Sequence, residues 1–140
     1  MAKRFEYAAS VDREGRLLAD GEAPLEPGPE WTPEHLLLAG LMRCTLKSLA
    51  FHAERAGVAV RGGATAEGVV TRREEDGRFA FVEIECGLDI ELEPPREGEA
   101  LAELLDLAER DCFVGASLTE KPRYEWRVNC EVVRRPGGGR

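Results

Sequence analysis

Residues 79–93, FAFVEIECGLDIELE, alternate with a period of two. Ala80, Val82, Ile84, Cys86, Leu88, Ile90 and Leu92 fall on one side, and Glu83, Glu85, Asp89, Glu91 and Glu93 on the other. That pattern predicts a strand with one packed face and one acidic, wet face, ended by Pro94 and Pro95. Asp76-Gly77 predicts a hairpin turn back to a second β segment at 58–73. Alternation also marks 4–11, through Phe5, Tyr7, Ala9 and Val11. It returns at 124–132, where Trp126, Val128, Cys130 and Val132 share the apolar side. Between the first segments, DREGR at 12–16 predicts a turn, and Leu17 and Leu18 begin another strand. The proline- and glycine-rich stretch 21–33 predicts a loop.

The period then changes. Thr32, Pro33 and Glu34 supply an N-cap, a first-turn proline and an acid beside the positive helix end, and Gly57 supplies a C-cap, so 33–56 predicts one long helix. Leu37, Gly40, Leu41, Cys44, Ser48 and Phe51 share one face, and Leu38, Met42, Thr45, Leu49 and His52 the neighbouring one. So wide an apolar arc asks for cover on more than one side. A second helix is predicted at 99–111, with Leu101, Leu104, Leu105, Ala108 and Cys112 inward. Together these elements predict an α+β fold, mainly antiparallel, with one domain over 1–135 and a disordered tail at 136–140.

Length and composition narrow the function. The 140 residues, 43% of them hydrophobic, are enough for a core without metal or disulfide support. Nineteen Lys and Arg against 27 Asp and Glu leave a net charge of −8, which argues against nucleic acid and against an anionic membrane surface. There is no run of 18 apolar residues, so the expectation is a cytoplasmic protein whose thiols stay reduced. The four cysteines are 44, 86, 112 and 130. None is spaced as in a CxxC pair, and neither His35 nor His52 completes a ligand set, so no metal site is expected. Cys86 and Cys130 sit in register with apolar strand faces and are expected to be packed. Cys44 and Cys112 lie on apolar helix faces, where packing and reactivity both remain open.

Three segments bear a resemblance. Residues 31–44, WTPEHLLLAGLMRC, resemble the start of the long central helix of the OsmC/Ohr family, where a leucine-rich run ends in a peroxide-reacting cysteine. Residues 111–118, DCFVGASL, are similar to its second cysteine motif, and 11–16, VDREGR, to the early hairpin that carries its active-site arginine. Phe113 stands where well-characterised members have proline, and Arg43 where a small residue is usual. The resemblance implies a thiol-dependent peroxidase without organic cofactor or metal. Cys44 would be the peroxidatic cysteine, Cys112 the resolving one, Arg13 the guanidinium that stabilises thiolate and leaving oxygen, and Glu34 the carboxylate that holds Arg13. Arg16 is the alternative arginine. Leu37, Leu41, Phe51 and Phe113 are expected to line a pocket for an organic hydroperoxide. The family implies reduction by an external dithiol, such as a lipoylated protein.

Glu34 and Cys44 are ten residues apart, about 15 Å of rise and about 80° of rotation on a straight helix. Either the helix breaks at Gly40 or one chain's Glu34 serves another chain's Cys44. The wide apolar arc favours the second, as does the resemblance, which implies an intertwined homodimer. Two other functions fit the same residues: a thiol-based redox sensor, and a non-catalytic dimer that binds an apolar ligand.

Overall fold

The computed structural model describes residues 2–135, and the expected disordered tail at 136–140 lies outside the described residues. Its longest helix, α1 (Pro33–Arg55), starts where the Thr32 hydroxyl accepts the His35 amide at 3.2 Å, as the N-cap reading requires. Gly57 closes it at φ 77°, a left-handed conformation open to glycine. Between these ends α1 runs unbroken through Gly40. By length and composition α1 could cross a bilayer, a test that a core helix passes too. Leu41, Met42, Thr45, Leu49 and Ala53 are its buried stripe.

The chain divides into two compact units, Met1–His35 and Leu36–Arg140. The first holds an antiparallel sheet of β1 (Ala9–Val11), β2 (Leu17–Ala19) and β3 (Glu22–Leu25), in that order. The turn between β1 and β2 lies where DREGR predicts it, with the Asp12 amide donating to the Arg16 carbonyl at 3.0 Å. Two expectations fail in this unit. Residues 4–8 are not strand, and Phe5 and Tyr7 are exposed, so their alternation marks no buried face. Within the predicted loop lies β3, whose Pro24 is tolerated because an edge strand can spare an amide donor.

The second unit carries a sheet ordered β4 (Ala59–Arg72), β5 (Phe79–Glu93), β6 (Arg123–Val128) and β7 (Glu131–Val132). β4 and β5 form the predicted hairpin, and β5 buries Ile84, Cys86, Leu88, Ile90 and Leu92. Near the turn the alternation changes phase. Val69 pairs Glu83 while Val70 pairs Phe81, a bulge that leaves Val82 without a cross-strand partner, so Phe81 packs against the core where Val82 was expected. β6 lies parallel to β5, with Cys86 opposite Tyr124 and Leu88 opposite Trp126, the one parallel pairing among the described strands of a mainly antiparallel fold, as expected. The chain reaches that register through α2 (Gly98–Arg110) and the short α3 (Phe113–Ser117), as a parallel pairing requires a crossover.

α2 buries Leu101, Leu104, Leu105 and Ala108 of the predicted face, while Cys112, also expected on that face, lies past the helix end at Arg110 and caps α3 instead. With Leu41, Leu49, Ile90 and Trp126 they form one core, and truncating a fully enclosed member such as Leu105 to Ala should cost about 2–5 kcal/mol. Cys130 does not join that core. Asn129 and Cys130 adopt φ 49° and 72° and turn the chain from β6 into β7, which leaves Cys130 and Val132 exposed where the alternation placed them inward.

Candidate functional site

Two of the four predicted catalytic residues come together in the second unit. Cys44 lies half-buried in the middle of α1, on the stripe beside the fully enclosed one. Cys112 is wholly buried in the two-residue link between α2 and α3, where it caps α3. Successive backbone amides of α3 reach the two sulfurs: Val114 N–H donates to Cys44 Sγ at 3.5 Å, and Gly115 N–H donates to Cys112 Sγ at 3.4 Å. The thiols are close enough that the Cys44 side chain acts on the ionisation of Cys112.

The Cys112 thiol is pushed above its ordinary range. Burial is the main cause, the Cys44 thiol adds to it, and hydrogen bonds from Thr45 and the Gly115 amide oppose it. The shift favours the neutral thiol of Cys112. Thr45 Oγ1, also wholly buried, lies 3.0 Å from the Leu41 carbonyl, 3.4 Å from Cys112 Sγ and 3.5 Å from the Tyr124 hydroxyl. Cys86 is a different case. Enclosed on the apolar face of β5, with burial as the main cause, it is pushed up to about 12, which suits a packing residue.

The link that carries Cys112 is tied to α1. His52 Nε2 and Asp111 Oδ2 meet at 2.7 Å, and Arg110 donates to both oxygens of the same carboxylate. The Asp111 carboxyl is held below its ordinary range, first by the Arg110 hydrogen bond and then, against the effect of burial, by His52. His52 therefore does more than fill a helix face. Thr45, Tyr124 and the His52–Asp111 pair were missed in the sequence. Thr45 gave a signal, a hydroxyl inside an apolar stripe directly after Cys44. The other pairings are non-local.

The other two predicted catalytic residues belong to the first unit. Glu34 stands exposed in the first turn of α1, and Arg13 is exposed in the turn between β1 and β2. In that turn Arg16 is engaged, its Nε donating to Asp12 Oδ2 at 2.7 Å, which leaves Arg13 the arginine more open to another group. Of the predicted pocket residues, Leu41 is enclosed in the core, Leu37 is half-buried, and Phe51 and Phe113 are exposed. Among the described residues no three His, Cys, Asp or Glu side chains cluster to hold a metal ion.

A family model described as OsmC-like protein matches residues 26–127. Among solved structures, an OsmC-like protein from Mycoplasma pneumoniae has a TM-score of 0.68 at 18% identity, covering 91% of this chain and 99% of its own. An OsmC-like protein of unknown function from Vibrio cholerae has a TM-score of 0.71 at 16% identity, over 88% of this chain and 99% of its own. The organic hydroperoxide resistance protein OhrB of Bacillus subtilis has a TM-score of 0.55 at 20% identity, over 86% of this chain and 96% of its own. At such identities the likeness shows the fold. No curated protein matches.

Proposed function

The chain belongs to the OsmC-like family, and on that premise we propose that it is a two-cysteine, thiol-dependent peroxidase that reduces organic hydroperoxides. The observation that carries this reading is the pair of thiols at α3, one half-buried and one enclosed. As thiolate, Cys44 attacks the peroxide O–O bond. An alcohol leaves and Cys44 becomes a sulfenic acid. Cys112 then condenses with it, forming the S–S bond and releasing water, and a dithiol, for which a lipoylated protein is the candidate, returns both thiols. Val114 N–H is a donor already aimed at Cys44 Sγ. Neighbours named organic hydroperoxide resistance proteins, from Bacillus subtilis and Legionella pneumophila among others, favour a peroxide of this class.

Arg13 supplies the positive charge that favours thiolate and takes up charge on the departing oxygen, and Glu34 orients its guanidinium. A carboxylate directly against sulfur would disfavour the thiolate, so Arg13 stands between them. Because α1 is unbroken at Gly40, the helix arithmetic favours Glu34 of one chain serving Cys44 of another. The first unit supports a second copy in a different way: Val11 and Leu25 of its small sheet, with Phe5 and Tyr7 before it, are apolar and exposed. We therefore place the activity in a C₂ homodimer, in the reducing cytoplasm, with Leu37, Phe51 and Phe113 the apolar groups nearest to hand for the organic part of the peroxide.

Oxidation of the reduced protein by one equivalent of cumene hydroperoxide, followed by a peptide map, tests the assignment. A Cys44–Cys112 disulfide and turnover with dihydrolipoamide are expected. A bridge through Cys86 or Cys130 would defeat it, and reversible oxidation without turnover would favour a sensor. Mixing Glu34→Ala and Cys44→Ser chains under refolding conditions should restore part of the activity through one intact hybrid site. Monomers with full turnover would overturn the dimeric assembly.

A further inference from the structure

The second half of that reaction needs a group that no step so far supplies. When Cys112 closes on the oxidised Cys44, its S–H proton must leave, an S–S bond forms, the S–O bond of the sulfenic acid breaks, and the proton ends on the departing hydroxide as water. Cys112 changes from hydrogen-bond donor to acceptor in a place sealed from solvent, where water cannot make the adjustment. Thr45 is positioned to make it. Its hydroxyl has one proton and two plausible acceptors, the Leu41 carbonyl at 3.0 Å and Cys112 Sγ at 3.4 Å. While Cys112 is a thiol, its own S–H faces the Leu41 carbonyl at 4.0 Å and the Thr45 proton serves the same oxygen. Once the sulfur is stripped of its proton, a turn of the Thr45 hydroxyl gives it a second donor beside Gly115 N–H. The Tyr124 hydroxyl, 3.5 Å from Thr45 Oγ1, can then donate to the oxygen that has turned.

Packing alone does not explain these groups. Burying a hydroxyl is unfavourable unless it is bonded, and valine has the same shape as threonine without that demand. A back-bond to the carbonyl one turn earlier satisfies many helical threonines, and it would leave Thr45 indifferent to sulfur. What distinguishes this one is the sulfur and the phenol on its other side, all three groups buried.

We infer that Thr45, braced by Tyr124, is a catalytic residue of the disulfide-forming step, donating a hydrogen bond to Cys112 as that sulfur becomes the nucleophile. The inference rests on the peroxidase reading, and the experiment separates the two. Reduced full-length protein is mixed rapidly with one equivalent of cumene hydroperoxide and quenched at intervals. Dimedone trapping reports Cys44 sulfenic acid, and intact mass after thiol blocking reports the disulfide. With Thr45→Val, sulfenic acid should form within about twofold of the wild-type rate while closure slows roughly ten- to hundredfold, the effect of one hydrogen bond to a charged group. Excess peroxide should then drive Cys44 on to sulfinic acid. Thr45→Ser should restore closure, which a packing role would not, since serine lacks the methyl group. Tyr124→Phe, a one-atom deletion that carries the test if Thr45→Val folds poorly, should slow closure severalfold. Wild-type protein that forms neither species would sink the peroxidase reading. Normal closure in Thr45→Val or in Tyr124→Phe, or failure of Thr45→Ser to rescue, would overturn this inference while leaving that reading intact.

Discussion

Replacing Asp111 by Asn removes the charge that ties the Cys112 link to α1, and the geometry allows its effect to be worked out. Asp111 Oδ2 meets His52 Nε2 at 2.7 Å, with the His52 side chain 13% exposed and that of Asp111 35% exposed. Arg110 also holds the carboxylate, yet its side chain is 69% exposed, so that pair contributes little. A partly screened hydrogen bond to a charged group leaves a coupling between His52 and Asp111 of about 1 kcal/mol, or roughly 4 °C in Tm for a domain of this size. A cycle of Asp111→Asn, His52→Ala and the double variant isolates it, since the cavity left by His52→Ala cancels. The pH dependence follows from Asp111 being held below its unfolded value of 3.8. A depressed carboxyl contributes stability above that value and loses it as pH falls through the folded one. In urea unfolding followed by circular dichroism, Asp111→Asn should therefore be destabilised at pH 7 and nearly equal to wild type at pH 2.5. Iodoacetamide should also reach the enclosed Cys112 sooner in the variant. A coupling under about 0.3 kcal/mol, or equal destabilisation at both pH values, would refute the tether.

Three further outcomes are expected. Cys86 is raised to about 12 by burial, so the stability it favours as neutral thiol is full below 9.0 and declines as pH rises towards 12, by at most about 1.4 kcal/mol per unit; Cys86→Ala should flatten that alkaline slope in urea titrations, and an unchanged slope would count against it. Arg135, its side chain buried, pairs with Asp106 and donates to Glu109 Oε2 at 2.5 Å, and the same oxygen accepts Trp126 Nε1 at 2.7 Å. Arg135→Ala should cost about 3 kcal/mol by leaving Glu109 half-paired, and a loss under about 0.5 kcal/mol would show the network to be dispensable. If exposed Phe51 and Phe113 bind the organic part of a peroxide, replacing both by Ser should lower kcat/KM for cumene hydroperoxide about tenfold more than for hydrogen peroxide, and equal losses would exclude them.

Much of this was legible wherever the cause is local. Thr32 and Gly57 bound α1 because a cap and a left-handed glycine act within one turn. β5 declares its packed face from Ile84 onward, because each inward residue meets the core directly. The alternation misleads where partner geometry intervenes. The bulge opposite Val69 and Val70 is a property of two strands, and one strand's pattern cannot reveal that Phe81 takes the inward place of Val82. Cys130 was misplaced for another reason. Without a glycine the turn after Val128 carries no obvious punctuation, and Asn129, a residue tolerant of left-handed backbone, was the available sign. β3 and α3, four and five residues long, are too short for any period to register. Of the candidate site, both cysteines were readable. The hydroxyls and the Asp111 tether were not, since Thr45 and Cys112 are 67 residues apart and His52 and Asp111 are 59 apart.

The two thiols are mounted differently, and this decides which would yield more readily if the proposed disulfide forms. A disulfide needs Cα atoms within roughly 4.4–6.8 Å and a fixed torsion about the new bond. Cys44 lies in the interior of a 23-residue helix, where displacing one residue strains the ladder of bonds on either side. Cys112 lies in a link of two residues, at φ −77° and ψ 109°, with a five-residue helix after it that holds few ladder bonds of its own. Reshaping that link sacrifices the Gly115 amide bond to Cys112 Sγ and the Val114 amide bond to Cys44 Sγ, both to thiol sulfur, a weak acceptor. If the disulfide proposed above closes, the adjustment would fall on the link and α3, with α1 holding Cys44 in place. In that closure the His52–Asp111 pair would be the fixed end: it anchors the residue before Cys112 to α1 and would confine the motion to the residues that follow.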